Sequence, residues 1–228
     1  MREIVLDTET TGFDPATGDR VVEIGAVELR GHVPTGETFH AYINPERPMP
    51  QGAFEVHGLG DDFLRDKPVF AEVAEAFLAF VGEATLVIHN AAFDMAFLNH
   101  ELGRLGRPPI PPERAVDTLE IARRRFPGAG NSLDALCRRF GVDNAGRVKH
   151  GALLDSEILA EVYLELIGGR QPAMALVAAQ AGETRVDGSW TPRPRQVPLP
   201  ARITPSEAAA HAAFVETLGP MALWTRAR

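Results

Sequence analysis

Apolar residues follow two rhythms along this chain. Near the N-terminus the runs are short: Glu3–Leu6 is a compact buried-type strand, and Arg20–Arg30 alternates, with Val22, Ile24 and Ala26 set against Glu23 and Gly25. Glu37–Ile43 predicts a third strand, with Pro34–Gly36 turning before it and a proline-punctuated loop, Asn44–Pro50, after it. From Pro68 the period lengthens. Val69, Val73, Phe77, Phe80 and Val81 keep helical spacing behind a proline suited to a first helical turn. Thr85–His89 predicts a strand, followed by a helix over Ala92–Leu105, a loop over 108–112 and a short strand at Val116–Thr118. Further helices are predicted at Leu119–Phe126, Leu133–Phe140 and Ala152–Ile167. Three turn-linked strands followed by alternating helix and strand predict an α/β domain, a mixed sheet with helices on both faces.

Beyond Gly182 the texture changes. Prolines at 192, 194, 198, 200 and 205, interspersed with arginines, predict an extended, flexible linker. Thr204, Pro205 and Glu207 then supply an N-cap, a first-turn proline and a capping-box acid for a last helix ending near Leu218. A helix this short, after a linker, has no core of its own and is expected to dock on a partner.

Composition narrows the class. With 45% hydrophobic and 24% charged residues the chain reads as an ordinary globular protein, and its single cysteine, Cys137, fits a reducing cytoplasm. The opening R-E-I-V-L-D lacks a signal-peptide layout, and no apolar run approaches a membrane span, so no membrane partner is expected. Net charge is −8, with +2 from Val177 onward and therefore −10 over residues 1–176. A protein gripping nucleic acid by phosphate neutralisation alone would be basic. If this chain acts on nucleic acid, it should hold a few terminal nucleotides through bound metals and borrow any longer grip from a partner.

Against this background five polar residues stand out: Asp7 and Glu9 in D-T-E-T-T-G, Asp94 in H-N-A-A-F-D, and His150 and Asp155 in H-G-A-L-L-D. Each lies in or beside an apolar stretch, where a carboxylate is costly unless a cation or hydrogen bonds compensate it. Two divalent ions about 3.5–4 Å apart would do so, and would clamp both oxygens of a phosphoryl displacement. Each piece also has a plainer explanation. Asp7 and Glu9, two apart on one strand face, either serve one metal pair or only end a strand before the turn-forming Thr10-Thr11-Gly12. Asp94 heads a stripe of Leu98, Leu102 and Leu105, and Asp155 one of Leu159, Val162 and Leu166; each acid is either a helix-dipole partner or a ligand. On one continuous helix His150 and Asp155 would stand about 140° apart, so both reach one site only if His150 lies in the preceding loop. There it is either a solvated histidine or a general base suited to neutral pH.

Taken together and in this order, Asp7-Thr8-Glu9, the H-N-x-x-F-D run ending at Asp94, and His150-x-x-x-x-Asp155 resemble the three motifs of the DEDD exonucleases, histidine subclass. V-I-H-N-A-A-F-D, N-S-L-D-A-L-C-R-R-F and H-G-A-L-L-D are most similar to the proofreading (epsilon) subunits of bacterial DNA polymerase III. The resemblance implies a ribonuclease-H-like fold, with a five-stranded mixed sheet and a flexible C-terminal tail. It also implies two Mg²⁺ or Mn²⁺ ions and hydrolysis of DNA from its 3′ ends. By the same resemblance Asp7, Glu9, Asp94 and Asp155 would be the metal ligands and His150 the general base. Thr10 would lie near the terminal 3′-OH, His57 and Leu59 against the terminal base, and Asn90 in the substrate site, with Phe93 either there or in the core. Residues 1–170 would form the exonuclease domain. Gln171–Leu176 resembles a short peptide that touches the sliding clamp, although Pro172 and Leu176 depart from the usual form. Residues 177–228 would then reach the polymerase III alpha subunit, with Trp190, Phe214 and Trp224 as candidate anchors. Two other readings fit less of the chain: an exoribonuclease trimming RNA 3′ ends, and a non-catalytic bridge between polymerase and clamp.

Overall fold

Along β1 (Arg2–Thr10) the side chains of Ile4 and Leu6 point to one side and that of Val5 to the other, all fully buried, so the strand needs cover on both faces. β2 (Val21–Arg30) pairs antiparallel with it, placing Gly25 opposite Asp7 and Glu23 opposite Glu9. β3 (Val33–Tyr42) pairs antiparallel with β2 at the edge. On the other side β4 (Thr85–Ile88) runs parallel to β1 and β5 (Ala115–Asp117) parallel to β4, completing the order β3-β2-β1-β4-β5. The computed structural model describes residues 1–147, 149–168 and 203–219. It divides into two units, Met1–Leu176 and Val177–Arg228.

Within the first unit, α1 (Gln51–His57) and α2 (Asp61–Leu64) precede the longer helices. One face of the sheet packs Ile4, Leu6, Ile24 and Ile88 against α3 (Phe70–Val81) and α4 (Ala91–Arg104), through Phe77, Phe97 and Leu98. The other packs Val5, Val27 and Val87 against α5 (Thr118–Arg125), α6 (Leu133–Phe140) and α7 (Ala152–Leu166). The mixed sheet with helices on both faces is therefore as the sequence predicts. In the second unit the described residues contain α8 (Pro205–Thr217), capped by the expected reciprocal pair: Glu207 N–H donates to Thr204 Oγ1, and Thr204 N–H to the Glu207 carboxylate. None of its residues is buried, and Phe214 is exposed.

Several local expectations are corrected. The turn between β2 and β3 is Gly31-His32 and not Pro34–Gly36; both turn residues have positive φ, 57° and 67°. That two-residue geometry matches the twist of the flanking strands. Pro34 is tolerated inside β3, opposite Leu29, because β3 is the edge strand and a bulge interrupts the ladder there. The helix expected from Pro68 starts at Phe70, where the Val69 N–H donates to Glu72 as at a capped end. α1 and α2 carry no apolar stripe long enough to announce them. Leu105 ends the α4 stripe exposed to solvent, just past the helix, where Gly106 turns the chain. Among the described residues no helix is long and apolar enough to cross a membrane.

Candidate active site

The three parallel strands β1, β4 and β5 end side by side, and the carboxyl ends of such strands are where an open α/β sheet places a crevice. Here an open cleft of about 880 Å³ is lined by Asp7, Glu9, Asn90, Asp94, His150 and Asp155, among others. Asp7 and Glu9 arrive on the face of β1 that carries Val5, toward α7. Asp155 reaches them because the start of α7 lies directly on β2 at Gly25: a Cβ there would come within 2.1 Å of the Leu153 nitrogen. Ser156 Oγ ties the contact down by donating to the Gly25 carbonyl at 2.9 Å. Gly25 is thus required by the site, although the sequence marks it only as the polar beat of an alternating strand.

Asp94 comes from the opposite layer, in the first turn of α4. It is steered by Thr8, whose backbone N–H and Oγ1 both donate to Asp94 Oδ1, at 3.1 and 2.7 Å. Motif residue Thr8 therefore has a definite job between its two acidic neighbours. His150 lies in the loop before α7, half-exposed over the cleft, as its spacing from Asp155 requires. Its Nδ1 is 3.5 Å from Asp155 Oδ2, and Glu9, His150 and Asp155 each offer a ligand atom within 4.8 Å of the others.

Electrostatically the cluster is under pressure. Burial, then the charges of Asp155, Glu23 and Asp94, pushes Glu9 up to about 8. Burial pushes Asp94 up to about 7 despite the hydrogen bonds from Thr8. Asp7 keeps a partial opening to the cleft but stands well above the usual carboxylate range, through burial and the charges of Asp94, Glu9 and Asp155. Such a set invites cations. Two further participants were not singled out from sequence: Glu23, opposite Glu9 and bonded to His40 Nε2 at 2.7 Å, and Arg147, which grips Asp155. Arginines are too common for a lone one in a loop to signal this.

A second cleft, of about 590 Å³, adjoins the first and shares Thr8, Glu9 and Phe93 with it. Apolar groups of Phe13, Ala53 and Val56 contribute to its wall, with Thr10 and His57. Thr10 Oγ1 donates to the Gly12 carbonyl at 2.6 Å, so its hydroxyl shapes the turn. His57 is buried; its Nδ1 accepts from the Leu59 N–H at 3.0 Å, its Nε2 has no hydrogen-bond partner among the described residues, and burial lowers its pKa. Leu59 lines neither cleft, so it supports His57 through its backbone, and the structure does not bring its side chain to the site. Asn90 caps α4 in a left-handed conformation, φ 70°, with its N–H held by Asp117. Phe93 is partly buried against the core and stands where the two clefts meet.

The model of the exonuclease family (RNase T type) matches residues 4–163. The DNA polymerase III subunit epsilon of Escherichia coli K12 is 46% identical over 239 aligned residues, spanning 98% of this chain and 97% of the relative. The chain belongs to this exonuclease family, among its DNA polymerase III epsilon subunits. The epsilon subunit of Rickettsia felis is 56% identical, across 78% of this chain and 79% of its own. Among solved structures, the nuclease domain of 3′hExo, a DEDDh family member bound to rAMP, superposes with a TM-score of 0.63 at 19% identity, covering 73% of this chain and 92% of that one. Exonuclease X in complex with 5′-overhanging duplex DNA gives 0.57 at 24%, over 73% and 91%. These two likenesses concern the fold, which is the ribonuclease-H-like one expected.

Proposed function

We propose that the chain is a metal-dependent 3′–5′ exodeoxyribonuclease, the proofreading subunit of a bacterial DNA polymerase III, which removes mismatched 3′-terminal nucleotides. The observation that carries this is the convergence of Asp7, Glu9, Asp94, His150 and Asp155 on one cleft from β1, α4, α7 and the loop before it.

The donors suit divalent cations: three carboxyl groups repel one another in a buried setting, and an oxygen-rich set favours Mg²⁺ or Mn²⁺ over softer metals. Asp7, Glu9, Asp94 and Asp155 would hold two such ions. Bound ions would lower the pKa of the attacking water and stabilise charge on the leaving 3′ oxygen. Thr8 would keep Asp94 aimed at the site. His150, on its loop, would take the proton of the attacking water, a contribution typically worth about 10²–10⁴-fold. The second cleft would receive the terminal nucleotide, with Thr10, His57 and Phe93 beside it and Asn90 on the far rim. Its wall is largely apolar, so contact with the face of a base should dominate over readout of its edge and any unpaired terminus should fit. Mismatch selectivity then comes from fraying: one stacked step is worth about 1.4 kcal/mol, close to tenfold in the open population.

Residues 1–170 would carry this chemistry. Gln171–Leu176, outside the described residues, would touch the sliding clamp, and residues 177–228 would hold the polymerase alpha subunit. Trp190 and Trp224 also lie outside the described residues, whereas Phe214 stands exposed on α8. The identity with the Escherichia coli epsilon subunit, which runs through nearly the whole chain, supports this partner assignment.

The deciding assay offers DNA and RNA single strands of equal sequence, and paired and mismatched DNA 3′ ends, with Mg²⁺, Mn²⁺ or a chelator. Metal-dependent release of nucleoside 5′-monophosphates from DNA 3′ ends, faster from mismatched than paired termini, is expected. Activity that survives chelation, or equal rates on paired and single-stranded ends, would overturn the reading.

A further inference from the structure

Arg147 makes the densest set of polar contacts in the cleft. Its Nε donates to Asp155 Oδ1 at 2.5 Å and its Nη2 to Asp155 Oδ2 at 2.6 Å, a two-pronged grip on a carboxylate that is almost fully buried. Nη1 donates to Asp134 Oδ1 at 2.7 Å, in the first turn of α6, and Nη2 also meets His150 Nδ1 at 2.9 Å. The guanidinium is itself mostly buried and lines the main cleft. A guanidinium has only donors and keeps its charge at any ordinary pH. It is therefore a fixed positive charge seated on one of the four acids that converge here.

We propose that Arg147 competes with divalent metal for Asp155, and so sets how tightly the site takes up its ions. This rests on the metal-dependent reading above. A metal ion ligated by Asp155 and a guanidinium forked onto the same carboxylate are two cations sharing one anion, and they repel across a few ångströms of poorly solvated space. Arg147 can give way without losing all of its partners. Asp134 remains, on a half-exposed side chain, and Asn144 Nδ2 steadies it at 3.1 Å. The exchange also reaches His150. While Nη2 donates to it, Nδ1 must be the acceptor, so that lone pair is occupied. Release of Arg147 from Asp155 and His150 frees that lone pair. Metal entry and the hydrogen bonding of His150 are then linked through one side chain. Arg147 acts here as a positioning residue, through Asp155 and His150.

The test uses the full chain without substrate. Mn²⁺ binding is titrated at neutral pH, with free Mn²⁺ followed by electron paramagnetic resonance, for the wild type, Arg147→Gln and Arg147→Lys. Removing a competing cation should tighten binding, by about tenfold if the coupling falls within the usual range for linked sites. Damage to a merely structural arginine would weaken binding instead. Arg147→Lys, which keeps the charge but not the fork, should fall between the other two. Equal or weaker Mn²⁺ binding by Arg147→Gln, with a normal wild-type isotherm, would overturn the proposal. Failure of the wild type to bind Mn²⁺ would instead remove the metal-dependent reading, and the competition with it. A second measurement needs no variant: Mg²⁺ should shift the ring ¹⁵N resonances of His150 as Nδ1 loses its donor, and an unmoved Nδ1 signal would also overturn the proposal.

Discussion

At the scale of single residues, the site depends as much on the groups that aim its acids as on the acids. Thr8 sits between two motif carboxylates yet serves a third, donating twice to Asp94 Oδ1. Thr8→Val keeps the backbone bond and loses the hydroxyl. Partners that orient a ligand are typically worth about 10–100-fold, so the variant should lose that much in kcat/KM on single-stranded DNA, as read in a nucleotide-release assay. Its far-UV spectrum should not change. His150 differs in kind: it stands half-exposed on a loop, its backbone N–H held by the Val56 carbonyl at 3.3 Å. His150→Ala should lower kcat by about 10²–10⁴-fold. An unchanged kcat would reduce His150 to a surface residue.

Among the elements, the contact between α7 and β2 decides whether Asp155 reaches the site. Gly25 lets the helix start lie against the strand, where a Cβ would meet the Ala152 carbonyl carbon at 2.2 Å as well as the Leu153 nitrogen. Those neighbours are backbone and cannot swing aside. Gly25→Ala should therefore destabilise the domain by about 1–3 kcal/mol, the usual cost of overpacking, measurable by urea denaturation. Whatever folds should cut DNA poorly, because relief of the clash moves Asp155 away from Asp7 and Glu9. Wild-type stability and activity in this variant would show that α7 has room to shift. α7 is anchored again near its far end, where the Tyr163 hydroxyl donates to buried Glu3 at 2.8 Å. The helix is thus tied to the first two strands at two places, and an acid in its first turn inherits their rigidity.

For the whole molecule, the balance of charge links folding to metal. Glu9 and Asp94 titrate near 8 and 7, and Asp7 also stands well above its ordinary range, so the folded metal-free protein binds protons that the unfolded chain has already lost. Stability from this source is complete below about pH 4, the ordinary carboxylate range, and is lost as pH rises through 7 to 8. Divalent ions should restore it, the more so at higher pH, where protons no longer compete. At an ion concentration about 100-fold above Kd the gain is about 2.7 kcal/mol, and near 2–4 °C per kcal/mol this predicts a rise in Tm of about 5–11 °C. Thermal melts with Mg²⁺ and with chelator, across that pH range, check both the size and the sign. The two-unit division yields another prediction. Truncation after Gly169 should spare hydrolysis of short single strands and abolish capture by the polymerase subunit. A pull-down in which the truncated protein still binds that subunit would show that residues 177–228 have another task.

The sequence alone was enough to show the layered α/β architecture, because buried strands and one-sided helices leave apolar periods that need no knowledge of their neighbours. It also singled out Asp7, Glu9, Asp94, His150 and Asp155 as candidates, each with a plainer explanation beside it until their order and spacing resembled three known motifs. What surrounds those five was settled only in three dimensions. The turn at Gly31-His32 follows from strand pairing, which made Pro34 harmless at an edge. Gly25 had no signature, because its reason is a helix more than a hundred residues further along. Thr8 reads as one more polar beat until Asp94 arrives from the opposite layer. Arg147 is one of many arginines until Asp155, Asp134 and His150 close around it. A local pattern reports what a residue needs buried or exposed; the partner that meets the need comes from distant chain, and only the folded sheet brings it within a few ångströms.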